Sequence, residues 1–196
     1  MFTEALKSKK RTTSNAVILH LDGDRRYSKR AVNYYNRLNL NSIVENISEK
    51  NQPNEVVYLL EKYRPNILIA TGHDLMYKKG QDLYNIENYK NSKYFIETVK
   101  NARIWEKSPD KLVIFAGACE SFYEAIMIEG ANFASSPARI MVEYRDPLII
   151  ASKIAYTPSC EYIKMKDLLP YLKSNYKGIG GNGARGQKEC WLKDKK

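Results

Sequence analysis

Three short and almost wholly apolar runs recur along the sequence, and they strongly limit the folds that the chain can adopt. The runs are residues 16–21 (AVILHL), 66–70 (NILIA) and 112–115 (LVIF). Apolar runs of this length between turn residues are typical of strands buried on both faces. Helical patterns separate them, so the sequence predicts an α/β fold: a three-layer sandwich with a mostly parallel sheet and helices on both faces.

The remaining elements follow from the same patterns. A helix is predicted over residues 28–38 with Ser28 as N-cap, and others over 52–63, 92–103 and 121–130. Residues 42–47 and 139–144 (RIMVEY) predict two further strands, and residues 165–173 a last short helix. The stretch GIGGNGARG (178–186) predicts a solvated glycine-rich loop. The chain therefore divides into a flexible basic lead (1–14), an α/β domain (15–177) and a glycine-rich, basic tail (178–196).

The basic charge is concentrated at the two ends of the chain. The net charge is +10, and residues 1–14 and 185–196 each contribute +3. The body is close to balanced and carries no nucleic-acid recognition motif, so a nucleic-acid partner is disfavoured. No apolar run approaches the ~18 residues that a membrane span needs, and no membrane association is expected.

The three cysteines, Cys119, Cys160 and Cys190, are widely spaced along the chain. This spacing predicts neither a disulfide framework nor a zinc site, and a reducing compartment fits it best. Cys160 and Cys190 follow no clear strand and are interpreted as bystanders. Neither a metal nor a cofactor is predicted.

Chemically active side chains cluster just after the predicted strands. Ligands of a parallel sheet bind at the carboxyl ends of its strands. The residues at these positions are Asp22, Asp24, His73, Asp74, Cys119, Glu120 and Asp146.

Cys119 and His73 form the candidate catalytic pair. They follow two strands joined by a single helical crossover, so the strands are expected to be neighbours. An imidazole beside a thiol generates the thiolate nucleophile, and backbone N–H groups around Gly72–Asp74 and Cys119 could stabilise an oxyanion. A buried core cysteine is the alternative for Cys119. His20 lies inside its strand, where a packed core imidazole is expected.

The order of the pair along the chain separates two classes of hydrolase. In α/β-hydrolases the histidine follows the nucleophile, but no histidine follows Cys119. Here the histidine precedes the cysteine by 46 residues, close to the spacing of about 50 in caspases.

The two motifs NILIATGH and LVIFAGAC resemble those of the caspase/gingipain-like cysteine peptidases, although Asp74 stands where glycine is usual. Longer blocks over residues 16–185 resemble the YabG family of sporulation-specific proteases from spore-forming Firmicutes: HLDGD, YRPNILIATGHD, NYKNSKYFIETVKNAR, LVIFAGACES, GANFASSP, KIAYTP and KGIGG. The resemblance implies a cysteine protease of the mother-cell cytoplasm or the spore coat. It also implies processing of spore coat and related proteins, cleavage after arginine, and an extra N-terminal region in other members.

Cleavage after arginine requires an acid in the pocket for the side chain preceding the cleaved bond. In arginine-specific relatives this acid often stands two residues before the cysteine, where this chain has Gly117. Asp22 or Asp24 is therefore the candidate, although the sequence DGD also fits a simple turn. Asp146 and Glu120 are held in reserve. The predicted substrate-binding residues are Asp22, Asp24, Gly72, Asp74 and Asp146.

Two expectations concern the whole protein. Self-cleavage is expected in the basic lead, for instance after Arg11. The alternative function is a non-catalytic basic protein that binds nucleic acid or a spore-coat scaffold, with an incidental cysteine.

Overall fold

The computed structural model describes residues 14–77 and 82–190, whose core is a six-stranded sheet in the order β2-β1-β3-β4-β5-β7. The first five strands are parallel, and β7 runs antiparallel to β5. The strands are β1 (Val17–Asp22), β2 (Asn41–Asn46), β3 (Ile67–Thr71), β4 (Val113–Ala116), β5 (Phe133–Ser135), β6 (Tyr162–Ile163), β7 (Ile179–Gly181) and β8 (Ala184–Arg185). The helices are α1 (Arg25–Arg37), α2 (Gln52–Tyr63), α3 (Ser92–Trp105), α4 (Tyr123–Ile128), α5 (Arg145–Tyr156), α6 (Met165–Leu168) and α7 (Asn175–Gly178).

Both faces of the sheet are covered by helices, which confirms the predicted fold class. Helices α1 and α5 pack on one face, through residues such as Tyr35 and Ile150. Helices α2, α3 and α4 pack on the other, through residues such as Leu60 and Phe95. Because side chains alternate along a strand and both faces are buried, every position of β3 is buried, which explains its apolar run over residues 67–70.

The fifth strand is not where the sequence predicted it. It consists of Phe133–Ser135, and residues 139–144 form an irregular segment instead. Several backbone N–H groups of this segment bond to side chains: Ile140 N–H donates to Ser136 Oγ and Glu143 N–H to Ser174 Oγ. The prediction of a strand here was wrong about burial as well as pairing, since none of the six residues is fully buried and Met141 is 74% exposed.

Two helix starts also differ from the sequence prediction. Helix α1 begins at Arg25 and is capped by Asp24, whose carboxylate accepts the Arg26 N–H, so Ser28 is not the N-cap. Helix α4 begins only at Tyr123, so Cys119 lies in a turn four residues before it.

The glycine-rich stretch is an edge strand rather than a solvated loop. Residues Ile179–Gly181 pair with β5, and a Cβ at Gly181 would lie 2.5 Å from the carbonyl oxygen of Asn132. The absence of a side chain therefore permits this close pairing. Beyond it, β8 pairs with β6.

A disulfide joins Cys160 to Cys190 and closes this C-terminal region onto the end of α5. The prediction that the spacing of the cysteines gives no disulfide was wrong, because sequence spacing carries no information on which distant segments the fold brings together. Most of the predicted basic lead, with Arg11, and the end of the tail lie outside the described residues. Among the residues that the structure describes, no helix is both long and apolar enough to span a membrane.

We predict that the Cys160–Cys190 bond contributes about 3 to 4 kcal/mol to stability, the chain-entropy value for two cysteines 30 residues apart. The double variant Cys160→Ser/Cys190→Ser should melt about 10 °C lower by calorimetry. Cys119→Ser, which keeps the bond, is the control. Alkylation of the denatured wild-type protein should label one thiol without reductant and three with it. Three labelled thiols without reductant would exclude the bond.

Candidate active site

The carboxyl ends of β1, β3 and β4 open into a cleft of about 280 Å³. Of the predicted site residues, the cleft is lined by Asp22, Gly72, His73 and Cys119. In the parallel register of β3 and β4, Ala70 lies opposite Ala116. His73 and Cys119 each stand three residues beyond this pair, and neighbouring strands lie about 4.8 Å apart. The register thus places both residues at the same edge of the sheet, where the imidazole and the thiol line one cleft.

Cys119 is held in its turn by contacts on both sides. The preceding N–H, of Ala118, donates to Ser121 Oγ at 2.9 Å. The Sγ atom accepts the N–H of Val142, in the segment 139–144, at 3.3 Å. The sulfur also lies 3.9 Å from the carbonyl oxygen of Val142, so both backbone groups of this residue hold it in place.

A backbone donor remains available beside the sulfur. In the described part of the chain, the N–H of Cys119 meets no acceptor, whereas those of Gly117 and Ala118 are already bonded. The His73 N–H is also engaged, since it donates to Glu49 Oε1 at 2.6 Å. Among the described residues of these two turns, the N–H groups of Gly72, Asp74 and Cys119 therefore remain as candidate donors to an oxyanion, and that of Cys119 belongs to the cysteine itself.

His73 is positioned by three different groups. Its Nε2 atom lies 2.9 Å from Asp24 Oδ2, while the side chain as a whole is 57% exposed. Its backbone N–H donates to Glu49, and its carbonyl oxygen accepts from Asn91 Nδ2 at 2.8 Å. These contacts fix Nε2 beside Asp24, while Nδ1 has no hydrogen-bond partner among the described residues.

Sequence reasoning missed Glu49, which lies in a single 3₁₀ turn (Glu49–Asn51) after β2. Its carboxylate occupies the space above Gly23 and Gly72, where a Cβ on either glycine would come within 2.2 Å of it. The signal in the sequence was the pair of glycines, one directly after β1 and one directly after β3.

Asp22 faces the cleft with its carboxylate already oriented. Its Oδ1 accepts the N–H of Asp24 at 2.7 Å, and its Oδ2 accepts the hydroxyl of Thr71 at 2.9 Å. Behind Thr71, the buried His20 is bonded through Nε2 to Thr71 Oγ1 and through Nδ1 to Tyr35. His20 is thus a hydrogen-bonded core residue, in agreement with its position inside β1.

Asp24 lies behind His73 and is not among the residues that line the cleft. Hydrogen bonds from Arg26, and then from His73, hold the pKa of its carboxyl well below the usual range. Asp24 therefore carries a negative charge beside the imidazole of His73.

The other predicted acids are buried and support the backbone. Asp74 accepts four hydrogen bonds, from the N–H groups of Leu75 and Asn91 and from the hydroxyls of Ser92 and Ser121. Burial raises the pKa of Asp74. Its bonds tie the turn after His73 to the turn of Cys119.

Asp146 and Glu120 have similar supporting positions. Asp146 is fully buried and accepts the N–H groups of Lys173 and Ser174. Glu120 accepts the N–H of Met76 at 3.1 Å. The structure therefore does not bring Asp74, Asp146 or Glu120 into the cleft lining with Asp22.

An aromatic wall, formed by Tyr27 and Tyr144, closes one side of the cleft and was not foreseen. The two rings stack at 5.3 Å, and the guanidinium of Arg30 lies over both. The ring of Tyr27 also lies 6.1 Å from that of His73. With fifteen tyrosines in the chain, composition alone did not single out these two.

Comparison with known proteins identifies relatives over nearly all of the chain. The family model described as YabG peptidase U57 matches residues 2–191. The sporulation-specific protease YabG of Bacillus subtilis (strain 168) is 41% identical over 169 residues, which cover 86% of this chain and 58% of that protein. The chain thus matches little more than half the length of this curated relative. No solved structure matches the chain.

We predict that Asp74→Ala destabilises the protein by about 3 kcal/mol or more, since four buried donors lose their acceptor. Asp74→Asn should cost less than about 1 kcal/mol, because its oxygen keeps the two N–H bonds and the serine hydroxyls can rotate to accept from its amide. Denaturant unfolding measures both. An Asp74→Ala variant as stable as Asp74→Asn would contradict the supporting role.

Proposed function

The chain belongs to the YabG peptidase family, and we propose that it is a cysteine endopeptidase with Cys119 as nucleophile and His73 as general base. One observation carries the assignment. His73 and Cys119 follow adjacent parallel strands, each three residues after the paired Ala70 and Ala116, and both line one cleft. The order of histidine before cysteine, as in caspases, adds to it. A thiol protease of the caspase-like type is therefore the interpretation that best fits the site.

The reaction follows from the positions of these groups. His73 Nδ1 takes the proton of the Cys119 thiol, and the thiolate attacks the carbonyl carbon of the scissile peptide bond. The Cys119 N–H stabilises the oxyanion of the tetrahedral intermediate. The imidazolium then gives its proton to the departing amine, which leaves a thioester. Water, deprotonated by His73, hydrolyses the thioester and releases the acid product and the free thiol.

Asp22 is the proposed acid for a substrate arginine. Its two oxygens each accept one hydrogen bond from the protein, which fixes the carboxylate while leaving lone pairs for a guanidinium. Asp22 also lies in the cleft lining together with His73 and Cys119. An arginine bound there would place the following peptide bond near the sulfur.

The substrates proposed for the whole protein are spore coat and related proteins, processed in the mother cell of a sporulating bacterium. The name of the Bacillus subtilis relative, a sporulation-specific protease, supports this assignment. Because the chain matches only 58% of that relative's length, substrates and activity are both proposals for this chain. Cleavage of the chain's own basic lead after Arg11 is part of the proposal.

Cys119→Ala and His73→Ala should each lower kcat/KM on an arginine-containing peptide by at least about 1,000-fold, because they remove the nucleophile or its base. Iodoacetamide should label Cys119 and stop cleavage in the wild type. Cys160→Ser/Cys190→Ser, which leaves the dyad in place, is the control below its melting temperature.

N-terminal sequencing of the wild type and of Cys119→Ala after incubation tests self-cleavage. Loss of the first residues in the wild type, but not in Cys119→Ala, is the expected result. Full proteolysis by Cys119→Ala would refute the dyad, and an intact Met1 in active enzyme would refute self-cleavage.

Asp22→Asn should reduce kcat/KM about 100-fold for a peptide with arginine before the cleaved bond, since a charge-assisted bidentate pair is lost. A matched peptide with citrulline, the uncharged isostere, should be cleaved at the same rate by wild type and variant. Asp110→Asn removes an exposed aspartate paired with Arg185 and serves as the control. Unchanged arginine preference in Asp22→Asn would exclude Asp22 as the pocket acid.

A further inference from the structure

The carboxylate of Asp24 is fixed by the start of helix α1. Its Oδ1 accepts the backbone N–H of Arg26 at 2.7 Å, which is the N-cap bond of the helix. Its Oδ2 then points toward two cationic or protonated groups, Arg26 Nη2 at 2.8 Å and His73 Nε2 at 2.9 Å. The helix start therefore determines the direction in which the carboxylate meets the imidazole.

The two contacts of Asp24 Oδ2, with Arg26 and with His73, differ in how exposed they are to water. The Arg26 side chain is 78% exposed, so water competes with this ion pair and it contributes little to stability. The His73 side chain is 57% exposed, so its contact with the nearly buried carboxylate of Asp24 is the less exposed of the two.

The contact also determines the proton arrangement of His73. An acceptor at Nε2 keeps the proton on that nitrogen, so Nδ1 has a free lone pair for the thiol proton. When His73 becomes an imidazolium, the neighbouring carboxylate stabilises its charge. Because Arg26 and His73 keep the pKa of Asp24 low, the carboxylate is ionised near neutral pH.

We propose that Asp24 is the positioning residue of His73, so that the site is the series Asp24–His73–Cys119 rather than a dyad. This inference rests on the proposed function. It also separates the roles of two acids that the sequence could not distinguish. Asp22 faces the cleft and is left for the substrate, whereas Asp24 is engaged by the histidine.

The experiment compares three variants with the wild type: Asp24→Ser, Asp24→Asn and Arg26→Ala. Serine and asparagine both remain good N-caps, so helix α1 keeps its start. Serine is too short to reach the imidazole, and asparagine, with its oxygen on the cap, presents an amide N–H where a carboxylate is needed. Arg26→Ala removes the other partner of Oδ2 while keeping the cap and the histidine contact.

Asp24→Ser and Asp24→Asn should lower kcat on the arginine peptide 10- to 100-fold, with KM changed by less than 2-fold. Their rate of alkylation by iodoacetamide near neutral pH should fall at least 10-fold, as in His73→Ala. Arg26→Ala should remain within 3-fold of wild type in both measurements. All variants should melt within a few degrees of one another.

Three results would overturn the inference. A rise in KM with loss of the preference for arginine over citrulline would make Asp24 a substrate-binding acid. Unchanged kcat and alkylation would leave it a helix cap only. Equal losses in Arg26→Ala, with lower melting temperatures, would indicate a general structural effect.

The alkylation rate distinguishes these failures from failure of the proposed function. Iodoacetamide is small and uncharged and does not need a substrate pocket, so its rate reports on the thiol and the imidazole alone. If Cys119→Ala still cleaves peptides, the proposed function is wrong. Slower alkylation in Asp24→Ser, with normal rates in Arg26→Ala, would still establish the contact between Asp24 and His73.

Discussion

The parallel pairing of β3 with β4 is the constraint on which the rest of the site depends. Ala70 lies opposite Ala116, and the N–H of Gly117 continues the ladder by donating to the carbonyl of Ala70. A shift of one residue would turn every side chain of one strand to the opposite face and disrupt the close packing of both layers. The register of this pair thus determines where His73 and Cys119 follow the strands.

Beyond the ends of the strands, buried carboxylates hold the loops in place by accepting hydrogen bonds from backbone N–H groups. Asp74, at a position where related motifs usually have glycine, joins the histidine turn to the cysteine turn and to the first residues of α3. Asp146 supports Ser174, which in turn accepts the N–H of Glu143 in the segment beside the sulfur. Loops that carry reactive groups are held here by charged acceptors for backbone N–H groups, which are stronger than neutral ones.

Sequence patterns were sufficient for the layers and for the elements that carry the site. Apolar runs identified β1, β3 and β4, and the residues just after them included the histidine, the cysteine and both N-terminal aspartates. Sequence patterns were insufficient where the structure of a residue depends on a hydrogen-bond partner that is distant in the sequence. Residues 139–144 have the composition of a strand, but their N–H groups find the side chains of Ser136 and Ser174. Asp22 and Asp24 are identical in type and two residues apart. Only the tertiary fold shows that Asp22 lines the cleft and that Asp24 contacts His73.

The small volume of the cleft has a consequence for the proposed protease activity. Val142 touches the sulfur from one side, and the stacked rings of Tyr27 and Tyr144 bound the opening. A space of about 280 Å³ matches one side chain and its peptide bond, so the proposed substrate would enter it as an extended segment. Susceptible bonds in a partner would then be those in tails, linkers and unfolded loops. Selection among proteins would depend as much on which of their segments are unfolded as on the residues those segments contain.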